Sequence, residues 1–153
     1  MKRCMLIAAA LMVASLGTNE ASAQNQLGVN VGYNIDAERF FAGGQFRFAP
    51  PALPVVINPS LETYFIEGVT LLQIDVNALY PFGTNNTTFT PYAGAGIGIG
   101  YANNDDNSST SAGLNLIAGA SFGFGRLQPF AEARINFDDG TNVGLRGGLL
   151  FGI

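Results

Sequence analysis

The sequence predicts an all-β chain: an eight-stranded antiparallel up-and-down β-barrel that spans a membrane. Three observations predict it. Apolar and polar residues alternate with period two in eight successive segments. Charged residues make up only 12% of the composition, against about a quarter in a soluble domain. Beyond residue 23, no apolar run approaches the about 20 residues that a membrane-spanning helix needs.

Residues 1–23 are organised as a cleaved secretory signal. Lys2 and Arg3 form its basic start, 5–16 its apolar stretch, and Ala21-Ser22-Ala23 its small-residue cleavage motif. Cys4 precedes the apolar stretch, whereas a lipoprotein cysteine follows it. Cleavage leaves residues 24–153 as the barrel domain. It removes Lys2 and Arg3 from seven basic residues and Glu20 from eleven acidic ones, so five and ten remain. The five are Arg39, Arg47, Arg126, Arg134 and Arg146. The only cysteine departs with the signal, so no disulfide staples the mature chain. An acidic chain with scattered arginines is also no nucleic-acid binder.

The strands follow in order. Over 26–34, Leu27, Val29, Val31 and Tyr33 share one face. Over 40–48, Phe40, Ala42, Phe46 and Phe48 oppose Gln45 and Arg47, with Phe41 out of phase. Over 55–65, Ile57, Leu61 and Phe65 oppose Asn58, Ser60, Glu62 and Tyr64. Pro59 has no N–H to give a ladder, so this strand is either bulged there or starts at Ser60. Over 72–82, six apolar residues from Leu72 to Phe82 oppose Gln73, Asp75 and Asn77. Over 91–101, Ala93, Ala95, Ile97, Ile99 and Tyr101 oppose Tyr92 and the glycines at 94, 96, 98 and 100. The last three segments, 114–124, 129–137 and 143–153, repeat the pattern, with Asn115, Glu132, Arg134 and Arg146 on their polar faces. A strand of about 10 residues, rising about 3.3 Å each and tilted about 40°, spans roughly 25 Å, the height of a bilayer's apolar band.

Which face points inward follows from charge and aromatics. The strand-borne charges are Arg47, Glu62, Asp75, Glu132, Arg134 and Arg146, three of each sign. That balance suits a narrow lumen, where an unpaired ion is costly. The other charges fall in loops or turns, and none lies on the apolar face. With the mature N-terminus periplasmic, Phe48, Phe82, Phe89, Phe124 and Phe151 mark one rim, and Tyr33, Phe40, Phe65, Tyr101 and Phe137 the other. Such girdles border the apolar band of a bilayer-spanning barrel.

The strand Pro91-Tyr92-Ala93-Gly94-Ala95-Gly96-Ile97-Gly98-Ile99-Gly100-Tyr101 now carries a resemblance, with Gly113-Leu114-Asn115-Leu116, Gln128-Pro129-Phe130-Ala131-Glu132-Ala133-Arg134 and the ending at Phe151. Across 24–153 the chain resembles the small bacterial outer-membrane β-barrel proteins with a transmembrane domain of the OmpA type. The resemblance implies a Gram-negative cell envelope, export through the inner membrane, and contact with outer-membrane lipids, lipopolysaccharide and the barrel-assembly machinery. Most members end on Phe; this chain ends on Ile153. It implies no one activity, since that family hosts many roles.

Catalytic chemistry finds little to work with. There is no histidine and no mature cysteine, so neither a Ser–His nor a Cys–His dyad can form. No cofactor motif or catalytic site is expected. The loops expected at the far end are 35–39, 66–70, 102–111 and 138–141. Only the third, with Asp105 and Asp106 among asparagines and serines, could hold a weak cation, and a solvated turn explains it as well. Glu132 and Arg134 are expected to pair in the lumen. The glycines at 94–100 are expected to make room for Tyr92 and Tyr64. Three readings stay open: a non-catalytic barrel with an envelope or surface-interaction role, a narrow channel of the OmpW kind, and a soluble lipid-binding barrel.

Overall fold

The computed structural model describes residues 25–82, 88–104, 107–138 and 140–153. The segment expected to be a signal, residues 1–23, and the expected cation-loop residues Asp105 and Asp106 lie outside the described residues. The strands are β1 (Gln26–Asn34), β2 (Arg39–Arg47), β3 (Val56–Ile66), β4 (Val69–Pro81), β5 (Phe89–Asn103), β6 (Ser108–Phe122), β7 (Leu127–Phe137) and β8 (Thr141–Gly152). Each pairs antiparallel with its sequence neighbours, and β1 pairs with β8 to close the barrel. The closing register runs from Gln26↔Gly152 to Asn34↔Gly144. It extends past both ends, through Ile153 N–H to the Asn25 carbonyl (3.0 Å) and Ile35 N–H to the Val143 carbonyl (2.8 Å). Closure satisfies the edge groups that an open sheet would leave unpaired.

Alternation decides which face is which. Val31 is 65% exposed, Leu114 61% and Ile97 58%, while Glu62, Asp75, Asn58 and Ser60 are wholly buried. The apolar phase points out and the polar phase points in. A water-soluble barrel has the reverse arrangement. Phe41, out of phase in the sequence, is accordingly an interior residue, 2% exposed. Its ring meets Tyr64 at 5.0 Å.

Pro59 neither bulges β3 nor delays its start. The β3–β4 register runs unbroken through Pro59↔Val76. On the other side, the β2–β3 ladder holds from Phe41↔Tyr64 to Gln45↔Ser60 and resumes at the Phe48↔Ile57 bridge in the same register. The gap falls where Pro59 faces Phe46 and has no N–H to offer. Asn58 fills it: its Nδ2 donates to the Phe46 carbonyl at 3.0 Å. Pro129 leaves a similar gap opposite Phe122, after which Phe124 and Leu127 bridge around Gly125 at φ +68°.

The end bearing the β1–β2, β3–β4, β5–β6 and β7–β8 connections is built of short hairpins. Gly68, at φ +72°, permits a two-residue turn between β3 and β4. The expected long loop over 102–111 is corrected: pairs continue to Asn103↔Ser108, so only 104–107 connect β5 to β6. Backbone pairing needs no apolar side chain, so the ladder runs on into polar sequence that periodicity assigned to a loop. Aromatics collect at the two ends. Tyr33 and Phe40 pack at 4.8 Å at the hairpin end. Tyr80–Phe82, Phe46–Phe48 and Phe89–Phe122 pack at 5.4, 5.7 and 5.4 Å at the other.

Candidate functional site: the barrel lumen

Each of Arg47, Glu62, Asp75, Glu132, Arg134 and Arg146 sits on the inward phase of its strand, and all six are buried. The structure brings them into one connected chain. Arg47 Nη2 reaches Glu132 Oε2 at 3.2 Å, and Glu132 also binds Arg146, whose Nε donates to Glu132 Oε1 at 2.6 Å. Arg146 pairs in turn with Glu62. Glu62 then meets Arg134 at 2.6 Å, and Arg134 meets Asp75 at 2.9 Å. Every carboxylate therefore faces at least one guanidinium, and the six charges cancel. Burial of ions is tolerable only on these terms.

One expected pairing is corrected. Glu132 and Arg134 both face the lumen but make no salt bridge with each other among the ion pairs present. Two positions apart on a strand, they are separated by about 6.6 Å along its axis. Other strands offer nearer partners: Glu132 takes Arg146, directly opposite it on β8, and Arg47 from β2, while Arg134 takes Glu62 and Asp75 from β3 and β4.

Neutral side chains complete the network. Tyr92 donates its hydroxyl to Glu132 at 2.7 Å and accepts from Arg47 at 3.0 Å. The Arg47 guanidinium lies 4.8 Å from the Tyr92 ring centre and 5.0 Å from that of Phe130, and Arg134 lies 5.4 Å from that of Phe41. Asp75 accepts from Asn115 at 2.9 Å and Gln73 at 2.8 Å, and Asn136 donates to Asn115 at 2.8 Å. The β1–β4 wall is less well satisfied. Both polar side-chain atoms of Asn30, and single atoms of Gln45, Asn58, Ser60 and Asn77, have no hydrogen-bond partner.

Sequence reasoning missed the apolar part of the interior. Leu79, Tyr92 and Ile117 form a buried cluster toward the end where β1 begins, and Phe130 and Leu150 are buried too. The signal was present: each of them stands in the polar phase of its own strand, and only Tyr92 was expected inside. The glycines of β5 also hold different neighbours than expected. A Cβ on Gly94 would strike Leu79, one on Gly96 would strike Asn77, and one on Gly98 would strike Asp75 and Gln73. Tyr92 instead packs over Gly119, and Tyr64 against Phe41. The room left at Gly94, Gly96 and Gly98 is occupied by β4.

The chain has the fold of the small outer-membrane β-barrels. The N-terminal β-barrel domain of OprF from Pseudomonas aeruginosa matches with a TM-score of 0.69 at 18% identity, covering 86% of this chain and 100% of that one. Neisserial surface protein A matches with a TM-score of 0.65 at 18% identity, over 86% and 96%. The outer-membrane enzyme PagL also matches, with a TM-score of 0.51 at 13% identity, over 84% and 98%. No protein-family model matches the sequence, and neither does any curated protein. One scaffold thus carries an enzyme as well as other surface proteins, so function must be argued from side chains.

Proposed function

We propose that the chain is a non-catalytic barrel of the bacterial outer membrane, with an envelope or surface-interaction role. The observation that carries this reading is the inversion of polarity: the charges on its strands line a neutral interior, and a belt of Val, Ile, Leu and Ala faces out. That surface is suited to outer-membrane lipids and, at the outer rim, lipopolysaccharide. Delivery would follow export behind a cleaved signal and folding by the barrel-assembly machinery. A catalytic role is disfavoured by the lumen chemistry. Its carboxylates are neutralised by arginine, and no histidine or mature cysteine exists to activate a nucleophile.

The channel reading relied on the glycines at 94–100 to open a path, and β4 side chains take that space at 94, 96 and 98. The soluble reading requires polar residues outward. Two measurements test the proposal. Unboiled and boiled samples from an outer-membrane fraction are expected to migrate differently on a gel, and reconstituted protein is expected to leave a planar bilayer non-conducting. A water-soluble monomer without detergent, or regular single-channel steps, would contradict it.

A further inference from the structure

At the hairpin end the lumen opens into a cavity of about 240 Å³ that lies outside the ionic network. Gln73, Gly100, Ser111 and Asn136 line its deeper part, with Tyr64 and Leu71 from the β3–β4 side and Asp138 and Asn142 from the β7–β8 side. The network beneath holds the deeper part in place. Gln73 Nε2 donates to Asp75 at 2.8 Å, and Asn136 reaches Asp75 through Asn115. A Cβ on Gly100 would stand 3.0 Å from both Gln73 Oε1 and Ser111 Oγ. The glycine leaves those two oxygens uncovered beside the cavity.

The chemistry of the lining narrows the ligand. The lining holds one charge of each sign, Arg39 and Asp138, so it offers no like-charged cluster to hold an ion, and the acidic turns around it (Asp36, Glu38 and Glu67) disfavour an anion. What remains is amide, hydroxyl and phenol, groups that both donate and accept. Such groups match a ligand bearing adjacent hydroxyls, while the Tyr64 ring and Leu71 supply an apolar wall for its C–H face. The volume is below the roughly 300 Å³ at which drug-sized pockets begin, which admits one ring and excludes an extended chain. We infer that this mouth binds a single neutral sugar ring, either a free monosaccharide or the terminal residue of a glycan. The inference rests on the barrel reading only for the side of the membrane that the mouth faces.

The test is titration of methyl glucoside, methyl galactoside and methyl N-acetylglucosaminide into isotope-labelled mature protein in micelles. Backbone amide signals of Gln73, Gly100, Ser111 and Asn136 should shift saturably with at least one of them. Ser111→Leu, which fills the cavity, should weaken that affinity at least tenfold, and Gly100→Ala should weaken it less. Heat-modifiable migration of each variant establishes that the barrel has folded, separating failure of the site from failure of the fold. Maltotriose binding as well as methyl glucoside supports a glycan end as ligand; binding of the methyl glycoside alone supports a free sugar. No saturable shift with any glycoside would overturn the inference. So would equal affinity in folded Ser111→Leu, or saturation by free glycine in place of the sugars, which would make the Arg39 and Asp138 charges the determinants.

Discussion

Arg134→Met removes the guanidinium that joins Glu62 to Asp75 in the middle of the lumen. Arg134 is 2% exposed and makes ion pairs of 2.6 and 2.9 Å. Breaking a buried pair by deleting one partner costs about 3–5 kcal/mol, because the remaining charge is stranded. Here the lower figure applies. Glu62 keeps Arg146, and Asp75 keeps the amides of Asn115 and Gln73, so only part of the compensation is lost. With a slope of about 1–3 kcal/mol per molar urea, a loss of about 3 kcal/mol lowers the midpoint by about 1–3 M. Adding Asp75→Asn removes the stranded charge, and the double variant should recover about 1–2 kcal/mol, within the range of coupling between contacting residues. The assay is folded fraction by unboiled gel migration across a urea series in lipid vesicles, since the protein has no tryptophan for fluorescence. Arg126→Met, at an exposed turn, is the control and should change stability by less than about 0.5 kcal/mol. A loss below about 1 kcal/mol for Arg134→Met, or a double variant no better than the single, would refute the reasoning.

The remaining predictions probe other parts of the barrel. Ile97→Arg at mid-height on the outer face should cost about 2–4 kcal/mol in a bilayer, whereas Leu53→Arg in the β2–β3 connection should cost about 0–1 kcal/mol; vesicle refolding titrations compare them. Asn58→Ala should cost about 1–3 kcal/mol by leaving the Phe46 carbonyl unpaired, and Pro59→Val in that background should restore part of it by supplying the missing N–H, as read by the same urea midpoints. Asn30→Leu should be neutral or stabilising by up to about 2 kcal/mol, because both polar atoms of this buried side chain lack partners; a marked loss of stability would contradict this. Gly96→Ala should cost about 1–3 kcal/mol by overpacking against Asn77 and the Val76 carbonyl, leaving planar-bilayer conductance at baseline.

How much of this was legible in the sequence depends on the scale at which the determinant acts. The eight strands and the inward phase were legible because period two is a local property, and charge is too costly on a lipid face to fall there by accident. Arg47, Glu62, Asp75, Glu132, Arg134 and Arg146 could therefore be placed in the lumen from their phase alone. Who pairs with whom could not. Glu132 and Arg146 face each other in the β7–β8 register, but the other partners are chosen between strands distant in the chain, and the nearest carboxylate to Arg134 lies on β3 or β4, 59 to 72 positions away. Phe41 stood out as out of phase, but Leu79, Ile117, Phe130 and Leu150, which also break the alternation, were left unassigned, yet all of them are buried inside the barrel. Pro59 read as a break because a missing donor is visible in sequence, while its replacement by the Asn58 side chain is a three-dimensional event. The extensions of β5 and β6 were hidden for a related reason: backbone ladders carry no hydrophobic signature once the strands leave the apolar band.

The central claim is the inversion of polarity across the barrel wall, and spin labelling along β6 tests it most directly. The only native cysteine is Cys4, which a protein produced from residue 24 onward lacks, so single cysteines can be placed at Leu114, Asn115, Leu116, Ile117 and Ala118 without interference. In vesicles, labels at 114, 116 and 118 should collide readily with dissolved oxygen and poorly with a water-soluble nickel complex, with labels at 115 and 117 immobile and shielded from both. Uniform accessibility to the nickel complex, or oxygen maxima at 115 and 117, would contradict the account.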